Sequence, residues 1–370
     1  MLTIPIISKL VERARTVRSD RTLVMLTGAG LDEAKWDNIV KTLHGSFLHS
    51  FAWSRYIAGP HGNPAYFVIQ NSGETVAAGW YIMCGKTIGP IKIIKQLQME
   101  TLPCYDPDKI SGADVFREVQ FMAERKMCAS FSFGNSSQEY GIENMQDTIN
   151  EKISFYVDLQ HTVKELYSNL QEKHRKKIQK AAKSALVVKY FTNERDFALS
   201  RELGDMFEYT FCKHLSAGKE RHRQELCSIT NINRELLLKG NAVIFVAFFE
   251  NVPVSCYIVS TFDRQAYNIY GASNAKGYEL NASFLLIWRI IEYFKERDYL
   301  VLNLGEVFKS SENESDLNHG LYRHKSGFGA KTRVLYSGSV VLSPITDTIL
   351  KVVRKWKAAA SARGRLLAGS

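Results

Sequence analysis

A lysine framed by glycines is the strongest chemical feature of this 370-residue sequence. Lys325 lies in the segment 320–330, which also contains Gly320, Gly327 and Gly329. Glycines let a backbone approach a ligand closely or adopt a positive φ. A lysine ammonium at such a place can stabilise a phosphate or a developing oxyanion as a point charge. The segment therefore predicts either a catalytic lysine on a loop over a cleft or an ordinary loop with a solvated lysine.

A dense run of basic residues is the second chemical feature. This basic ridge contains Lys173, Arg175, Lys176, Lys177 and Lys180, and no acidic residue lies between positions 173 and 183. The four lysines recur at helical spacing, opposite an apolar stripe. Such a ridge can bind the phosphate backbone of a nucleic acid. The alternative is the solvated face of an amphipathic helix.

The composition of the whole chain limits the possible partners. The net charge of +10 favours a polyanionic partner, such as a nucleic acid, a nucleotide-linked substrate or an anionic membrane face. The six cysteines form no CxxC pair and the nine histidines form no HxxxH or HExxH motif, so no metal site is expected. With no run of 18 apolar residues and no signal-peptide pattern, the expected location is the cytoplasm.

Both ends of the chain carry amphipathic, basic patterns. Residues 4–17 and 349–357 place Lys and Arg opposite apolar side chains. Either end could lie on the anionic inner face of the membrane, which gives a peripheral location as the alternative. The ordinary interpretation is a terminal helix that packs on the body of the protein.

The elements that must position the lysine and the ridge follow an α/β pattern. Residues 65–82 and 242–259 each read as a β-hairpin, with helical stretches before and after, which indicates a duplicated unit. A capping box at Thr162–Glu165 begins a helix whose apolar stripe extends to Ile178. A second helix follows Asn281 and leads to a buried strand at 300–304. The order predicts a mixed sheet with helices on both faces. The loop 271–277 before the second helix is either an anion site or a plain turn, and Glu279 would repel phosphate.

Five motifs, taken together, resemble the Fem family of aminoacyl-tRNA-dependent peptidoglycan transferases and its GNAT-like relatives. In chain order they are Ser50–Trp53, the basic ridge, Tyr270–Asn274, residues 284–305 and the segment 320–329. The last is the most specific, because the family shows Gly-Leu, then Phe-Lys, then Phe-Gly. Two positions differ: His324 stands where Phe is usual before the lysine, and Phe51 stands where some members have a basic residue.

The resemblance implies an α/β fold of two tandem GNAT-like domains, each a mixed, mostly antiparallel sheet flanked by helices. It places residues 1–155 and 327–370 in the first domain and residues 156–326 in the second. It also implies that Lys325 is catalytic. The residues that it implies for substrate binding are Trp53, Tyr270, Ser273 and Arg323, and those for nucleic-acid binding are Lys173, Arg175, Lys176, Lys177 and Lys180.

The expected activity is acyl transfer to an amine or hydroxyl of a cell-envelope precursor, by direct attack and without a covalent enzyme intermediate. The donor would be aminoacyl-tRNA or acyl-CoA, with no bound cofactor. One alternative is an acyl-CoA-dependent N-acetyltransferase of polysaccharide biosynthesis. Another is a non-catalytic tRNA- or envelope-binding protein that retains the fold. The sequence leaves the donor, the general base and the oligomeric state open.

Overall fold

The structure is a computed structural model that describes residues 21–26, 31–59, 62–88, 91–137, 140–142, 149–192, 200–214, 236–237 and 239–343. The amphipathic ends at 4–17 and 349–357 lie outside these ranges. The described strands are β1 Arg21–Leu26, β2 Ala65–Asn71, β3 Glu74–Ile88, β4 Ile91–Met99, β5 Cys104–Tyr105, β6 Ser130–Ser136, β7 Ile149–Asp158, β8 Val187–Phe191, β9 Ala242–Phe249, β10 Val252–Phe262, β11 Gln265–Ser273, β12 Val301–Phe308 and β13 Lys331–Val341.

Helices cover both faces of the sheet that these strands form. They are α1 Glu33–Thr42, α2 Phe51–Ala58, α3 Gly112–Arg125, α4 Val163–Asn169, α5 Glu172–Ala182, α6 Ser200–His214, α7 Ala275–Glu279, α8 Ala282–Lys295 and α9 His319–Ser326. Short 3₁₀ turns occupy Phe47–His49 and Lys309–Glu312. Both predicted hairpins are confirmed, as is the capping box, in which Thr162 accepts from Glu165 N and Glu165 accepts from Thr162 N.

The two halves of the described sheet repeat one strand order. In the first, β1, β2, β3 and β4 are antiparallel neighbours, β4 runs parallel to β6, and β6 pairs antiparallel with β13. In the second, β8, β9, β10 and β11 are antiparallel neighbours, β11 runs parallel to β12, and β12 pairs antiparallel with β7. The predicted duplication is thus confirmed in strand order. Strand β13 also pairs with β7, and this pairing joins the two halves into one sheet. The predicted domain boundaries stay a prediction.

Three hydrophobic clusters hold the helices on the sheet. One face of the second half packs against α8 through Ile291 and Phe294, and α4 and α5 join the same cluster. The opposite face carries α2 and α6, with Phe207 fully buried. Helix α3 covers the first half through Val115 and Val119. The layers confirm the mixed sheet with helices on both faces that the sequence predicted.

Two local expectations were wrong. The glycine-framed segment is a helix, because seven of the eight residues of α9 are neither Gly nor Pro and Gly327 stands at its C-cap. Gly329 does use a positive φ of 70°, as expected. The helix predicted to run from the capping box through residue 178 is instead broken at Leu170, whose ψ of 142° is extended and separates α4 from α5.

Candidate active site

A cavity opens where two parallel strands of the sheet separate. Strands β11 and β12 pair from Gln265 and Val301 as far as Tyr267 and Asn303. The residues that follow on each strand line a cavity of about 410 Å³, together with side chains from α2, α8 and α9. Its polar and aromatic lining residues include Trp53, Glu100, Tyr267, Asn268, Tyr270, Glu306, His324 and Lys325.

Lys325 reaches this cavity from α9. Its Nζ donates to the backbone oxygen of Glu306 at 3.1 Å. Gly305, next to Glu306, has a φ of 82°, and a Cβ built on it would lie 3.0 Å from Lys325 Nζ. Burial lowers the pKa of Lys325 to about 8, and the Glu306 carboxylate opposes this effect. The ammonium is therefore mostly charged at neutral pH and poorly solvated, as a group that stabilises an oxyanion should be.

Two predicted substrate-binding residues come to the same cavity. Trp53 lies on α2 with 5% of its surface exposed, and its Nε1 has no hydrogen-bond partner within the described chain. Tyr270 lies on β11, with its hydroxyl 3.3 Å from that of Tyr56. The tertiary structure thus unites Trp53 and Tyr270 with Lys325. The buried indole N–H is a donor that a substrate oxygen can satisfy.

The other two predicted substrate-binding residues do not line the cavity. Ser273 is buried beneath α6, where its Oγ lies 2.8 Å from Ser255 Oγ and its N–H donates to Thr210. Arg323 lies on the exposed face of α9, two residues before Lys325. The geometry adds no support to a substrate contact at Ser273, and the role of Arg323 stays a prediction.

The basic ridge lies on α5, beside the helix that carries Lys325. His174 Nε2 is 3.0 Å from the backbone oxygen of His324, which fixes α5 against α9. Lys177 sits over the ring of Phe284 at 4.2 Å. Its pKa is lowered, first by burial and then by the charges of Arg323 and Lys173. The ridge and Arg323 therefore form one positive surface next to the helix that carries Lys325.

Two members of the ridge have partners that the sequence argument overlooked. Lys176 forms an ion pair with Glu172 at 2.6 Å, one turn earlier and just outside the run that lacks acidic residues. Arg175 donates to the backbone oxygens of Ser168 and Leu170, and so caps the break between α4 and α5. Lys173, Lys176, Lys177 and Lys180 are exposed, as predicted. Nucleic-acid binding by the ridge remains a prediction.

Sequence reasoning missed the carboxylates of the cavity. Tyr267 donates to Glu306, and burial raises the pKa of Tyr267 well above its ordinary range. Glu100 follows β4, and burial raises the pKa of its carboxyl to about 7. Asn268 Oδ1 is buried and has no partner within the described residues. The Gly305-Glu306 pair directly after the strand predicted at 300–304 was a usable signal for Glu306, whereas nothing local marks Glu100.

A second, larger cavity of about 720 Å³ adjoins the first. The two cavities share Leu48, Asn135, Tyr267 and Glu306 as lining residues. The larger cavity is lined by residues of β6, β13, β7, β12 and β11. Most of its hydrogen-bonding groups are neutral, and Arg333 adds a guanidinium group. The hydrogen-bonded pair of Tyr267 and Glu306 thus stands between two chambers, each roomy enough for part of a substrate.

The loop 271–277 does not have the geometry of an anion site. Strand β11 continues through Ser273, and Asn274 caps the five-residue α7 with its own side chain, which accepts from Gly277 N at 2.9 Å. A Cβ on Gly277 would lie 2.0 Å from Val254 O. Gly277 is therefore needed for packing against β10. Lys276 is also paired with Glu279 at 2.9 Å.

The described residues offer neither a metal-binding cluster nor a membrane-spanning helix. No three His, Cys, Asp or Glu side chains among them are grouped so that they could hold a metal ion. None of the described helices is both long and apolar enough to span a bilayer.

Comparison with known proteins agrees with the motifs and the fold. The model of the FemAB family matches residues 198–345. The crystal structure of FemX is similar with a TM-score of 0.66 and 11% identity, over 85% of this chain and 96% of that one. No curated protein matches the chain. The resemblance to the Fem family is confirmed over the matched residues.

Two other solved structures share the fold. The C-terminal domain of a putative lysylphosphatidylglycerol synthetase from Agrobacterium fabrum has a TM-score of 0.52 and 14% identity, over 87% of this chain and 95% of that one. A tandem GNAT protein from the clavulanic acid biosynthesis pathway has a TM-score of 0.52 and 12% identity, over 88% and 99%. The expected fold class, tandem GNAT-like units with mostly antiparallel strands, is confirmed.

Proposed function

We propose that this acyltransferase moves an aminoacyl group from aminoacyl-tRNA to an amine of a cell-envelope precursor. The observation that carries the proposal is the Lys325 ammonium, which lies in the gap between β11 and β12 with Trp53 and Tyr270. Attack of an amine on the donor ester places a negative charge on the carbonyl oxygen. A poorly solvated ammonium close to that oxygen lowers the energy of the tetrahedral intermediate.

The cavity lining supports direct attack. An acyl-enzyme would need a nucleophile with an adjacent base. The described lining residues of the 410 Å³ cavity include no Cys or Ser, and their polar groups are amide, phenol, indole, carboxyl, imidazole and ammonium groups. Positioning and charge stabilisation are therefore the contributions that these residues offer.

The polar groups of the cavity favour an amine-bearing donor over a simple acetyl group. Asn268 Oδ1 is a buried acceptor without a partner within the described chain, and an α-amino group would donate to it. Trp53 Nε1 is the matching buried donor, which suits a carbonyl oxygen. Such a pair recognises both ends of an aminoacyl group, whereas an acetyl group would leave Asn268 unsatisfied.

The surroundings of the cavity favour tRNA as the carrier. The basic ridge on α5 and Arg323 on α9 form a continuous positive surface at the helix that carries Lys325. The loop 271–277, where a CoA pyrophosphate would be expected in a GNAT enzyme, uses Gly277 for packing and places Glu279 nearby. Acyl-CoA remains the second candidate donor, since the tandem GNAT neighbour shares this fold.

The larger cavity is suited to the acceptor. It meets the reaction cavity at Tyr267 and Glu306 and offers hydroxyl, amide and guanidinium groups to a polar chain. A cell-envelope acceptor agrees with the Fem resemblance, and the lysylphosphatidylglycerol synthetase neighbour bears a name that refers to a membrane lipid. The ridge and the net charge of +10 also agree with work near an anionic surface.

Product formation tests the proposal. The full chain is mixed with radiolabelled aminoacyl-tRNA or labelled acyl-CoA, and with a peptide acceptor that carries either a primary amine or only hydroxyls. We expect transfer from aminoacyl-tRNA to the amine, and loss of transfer in Lys325→Met. Transfer from acyl-CoA alone would favour the second donor, and tRNA binding without transfer under any condition would favour the non-catalytic alternative.

A further inference from the structure

We propose that Glu100 accepts the proton of the attacking amine. The inference rests on the proposed function, since it assigns the general base of the same reaction. Glu100 lines the reaction cavity together with Lys325, although it comes from the other half of the fold, at the end of β4. An amine is protonated near neutral pH and releases one proton to solvent before it attacks. The attacking nitrogen must then lose a second proton to become an amide, so a base in this cavity is required.

The surroundings of Glu100 hold its carboxylate in place without neutralising it. Asn135 Nδ2 donates to Glu100 Oε1 at 3.4 Å, and Lys152 Nζ donates to Asn135 Oδ1 at 3.2 Å. The amide of Asn135 thus links the carboxylate to Lys152. A direct ion pair would make the carboxylate a weaker base, while the amide leaves it able to take a proton.

The charges that face Glu100 come from several elements. Burial is the largest cause of its raised pKa, Lys152 on β7 opposes it, and Glu306 on β12 adds to it. Burial is the largest cause of the raised pKa values of Tyr56 on α2 and Tyr267 on β11, and the charge of Glu100 adds a smaller part. A carboxyl with a pKa of about 7 is half ionised near neutral pH and is a stronger base than an ordinary glutamate.

The other titratable groups of the cavity are less suited to the role. Burial lowers the pKa of His324 to about 3, so its imidazole is a weak base. Burial raises the pKa values of the cavity tyrosines Tyr257 and Tyr267, which stay protonated near neutral pH. The Glu306 carboxylate accepts the hydroxyl of Tyr267. Glu100 is therefore the best placed carboxylate of the described cavity for proton transfer.

The step balances in atoms and charge. The amine nitrogen forms a bond to the carbonyl carbon, and one N–H proton passes to Glu100. The oxyanion is stabilised by the Lys325 ammonium. The bond from carbon to the leaving oxygen then breaks, and this oxygen receives the proton from Glu100. The products are an amide and an alcohol, and the carboxylate is restored.

The pH dependence of Glu100→Gln tests the assignment. With the full chain and an amine acceptor, kcat/KM of the wild type should rise as the pH increases through about 7. Glu100→Gln should lose about 100- to 10,000-fold in rate and should no longer show this rise. Glu306→Gln is the matched control, because it removes the neighbouring cavity carboxylate. It should keep the rise but shift it to lower pH, since the Glu306 charge contributes to the raised pKa of Glu100. A rise that persists in Glu100→Gln, or disappears only in Glu306→Gln, would overturn the proposal.

A second measurement separates this inference from the proposed function. Infrared spectra of the protein without substrate should show a protonated carboxyl band that disappears as the pH rises through about 7. The band should be absent from Glu100→Gln and present in Glu306→Gln. If no acyl group is transferred from either donor but this band is found, the proposed function is wrong, whereas the raised pKa of the Glu100 carboxyl is confirmed. If the band is missing from the wild type, Glu100 is not the base. Melting curves of both variants check that they fold.

Discussion

Replacing Lys325 by methionine should abolish most activity and at the same time stabilise the fold. The side chains are similar in length, so the change chiefly removes the charge. The ammonium donates to Glu306 O at 3.1 Å inside the reaction cavity. Loss of one such oxyanion donor typically costs about 100- to 1000-fold in kcat, or about 3–4 kcal/mol of transition-state stabilisation. Turnover of Lys325→Met should fall by that factor, whereas substrate binding changes little.

The stability effect follows from the buried charge. The pKa of Lys325 is lowered from 10.5 to about 8. At about 1.4 kcal/mol for each pKa unit, the folded state disfavours the charged form by roughly 3 kcal/mol. Methionine loses the hydrogen bond to Glu306, which offsets part of this gain. We therefore expect Lys325→Met to be more stable at pH 7 by about 1–3 kcal/mol, with Tm raised by several degrees.

The pH dependence gives the sign of this effect. Between pH 8 and 10.5 the unfolded chain keeps a proton on Lys325 that the folded protein has released. The contribution of this group therefore makes the wild type more stable as the pH rises through that window. This contribution should be missing from Lys325→Met. The free energies of unfolding of the wild type and of the variant should therefore converge as the pH approaches 10.5. Urea unfolding at several pH values measures it.

A matched control and a clear contrary result complete this experiment. Lys109→Met removes a lysine that is paired with Glu74 and Asp106, far in sequence from the site and outside the cavity lining. Its turnover should be unchanged. If Lys325→Met instead melts at a lower temperature and its folded fraction keeps near-normal turnover, Lys325 is structural. The oxyanion assignment would then be wrong.

Three other predictions concern the site and its surroundings. Gly305→Ala should lower turnover and stability together, because the residue has a φ of 82° and the new methyl would lie 3.0 Å from Lys325 Nζ. Steady-state kinetics and melting curves measure both, and unchanged values would contradict the prediction. Trp53→Phe should raise KM about 5- to 13-fold by removing the indole N–H, a hydrogen bond worth about 1–1.5 kcal/mol, and an unchanged KM would exclude substrate contact. Lys177→Gln and Lys180→Gln should each reduce the slope of log affinity for tRNA against log salt by about one if the lysine contacts phosphate, and an unchanged slope would mark a solvated residue.

Local sequence patterns predicted much of the fold. Alternating apolar residues with Asn-Ser-Gly and Glu-Asn turns predicted both hairpins, and the Thr162–Glu165 capping box predicted where α4 begins. The repetition of these signals predicted the duplicated strand order. The glycine-framed segment was misjudged as a loop, because a glycine within a short helix costs only about 1 kcal/mol and surrounding contacts decide the outcome.

By itself, the sequence determined the α/β class, the family resemblance, the catalytic candidate Lys325 and the exposed basic ridge, because periodicity and short motifs are local properties of a chain. The tertiary structure decided which of these residues meet. It brought Trp53 and Tyr270 to Lys325, left Ser273 in the core, and added Glu100 from a distant strand. The cavity exists because β11 and β12 separate after three paired residues, and the raised pKa of Glu100 exists because the folded chain excludes water. Both depend on contacts between residues far apart in the chain, which no local pattern records.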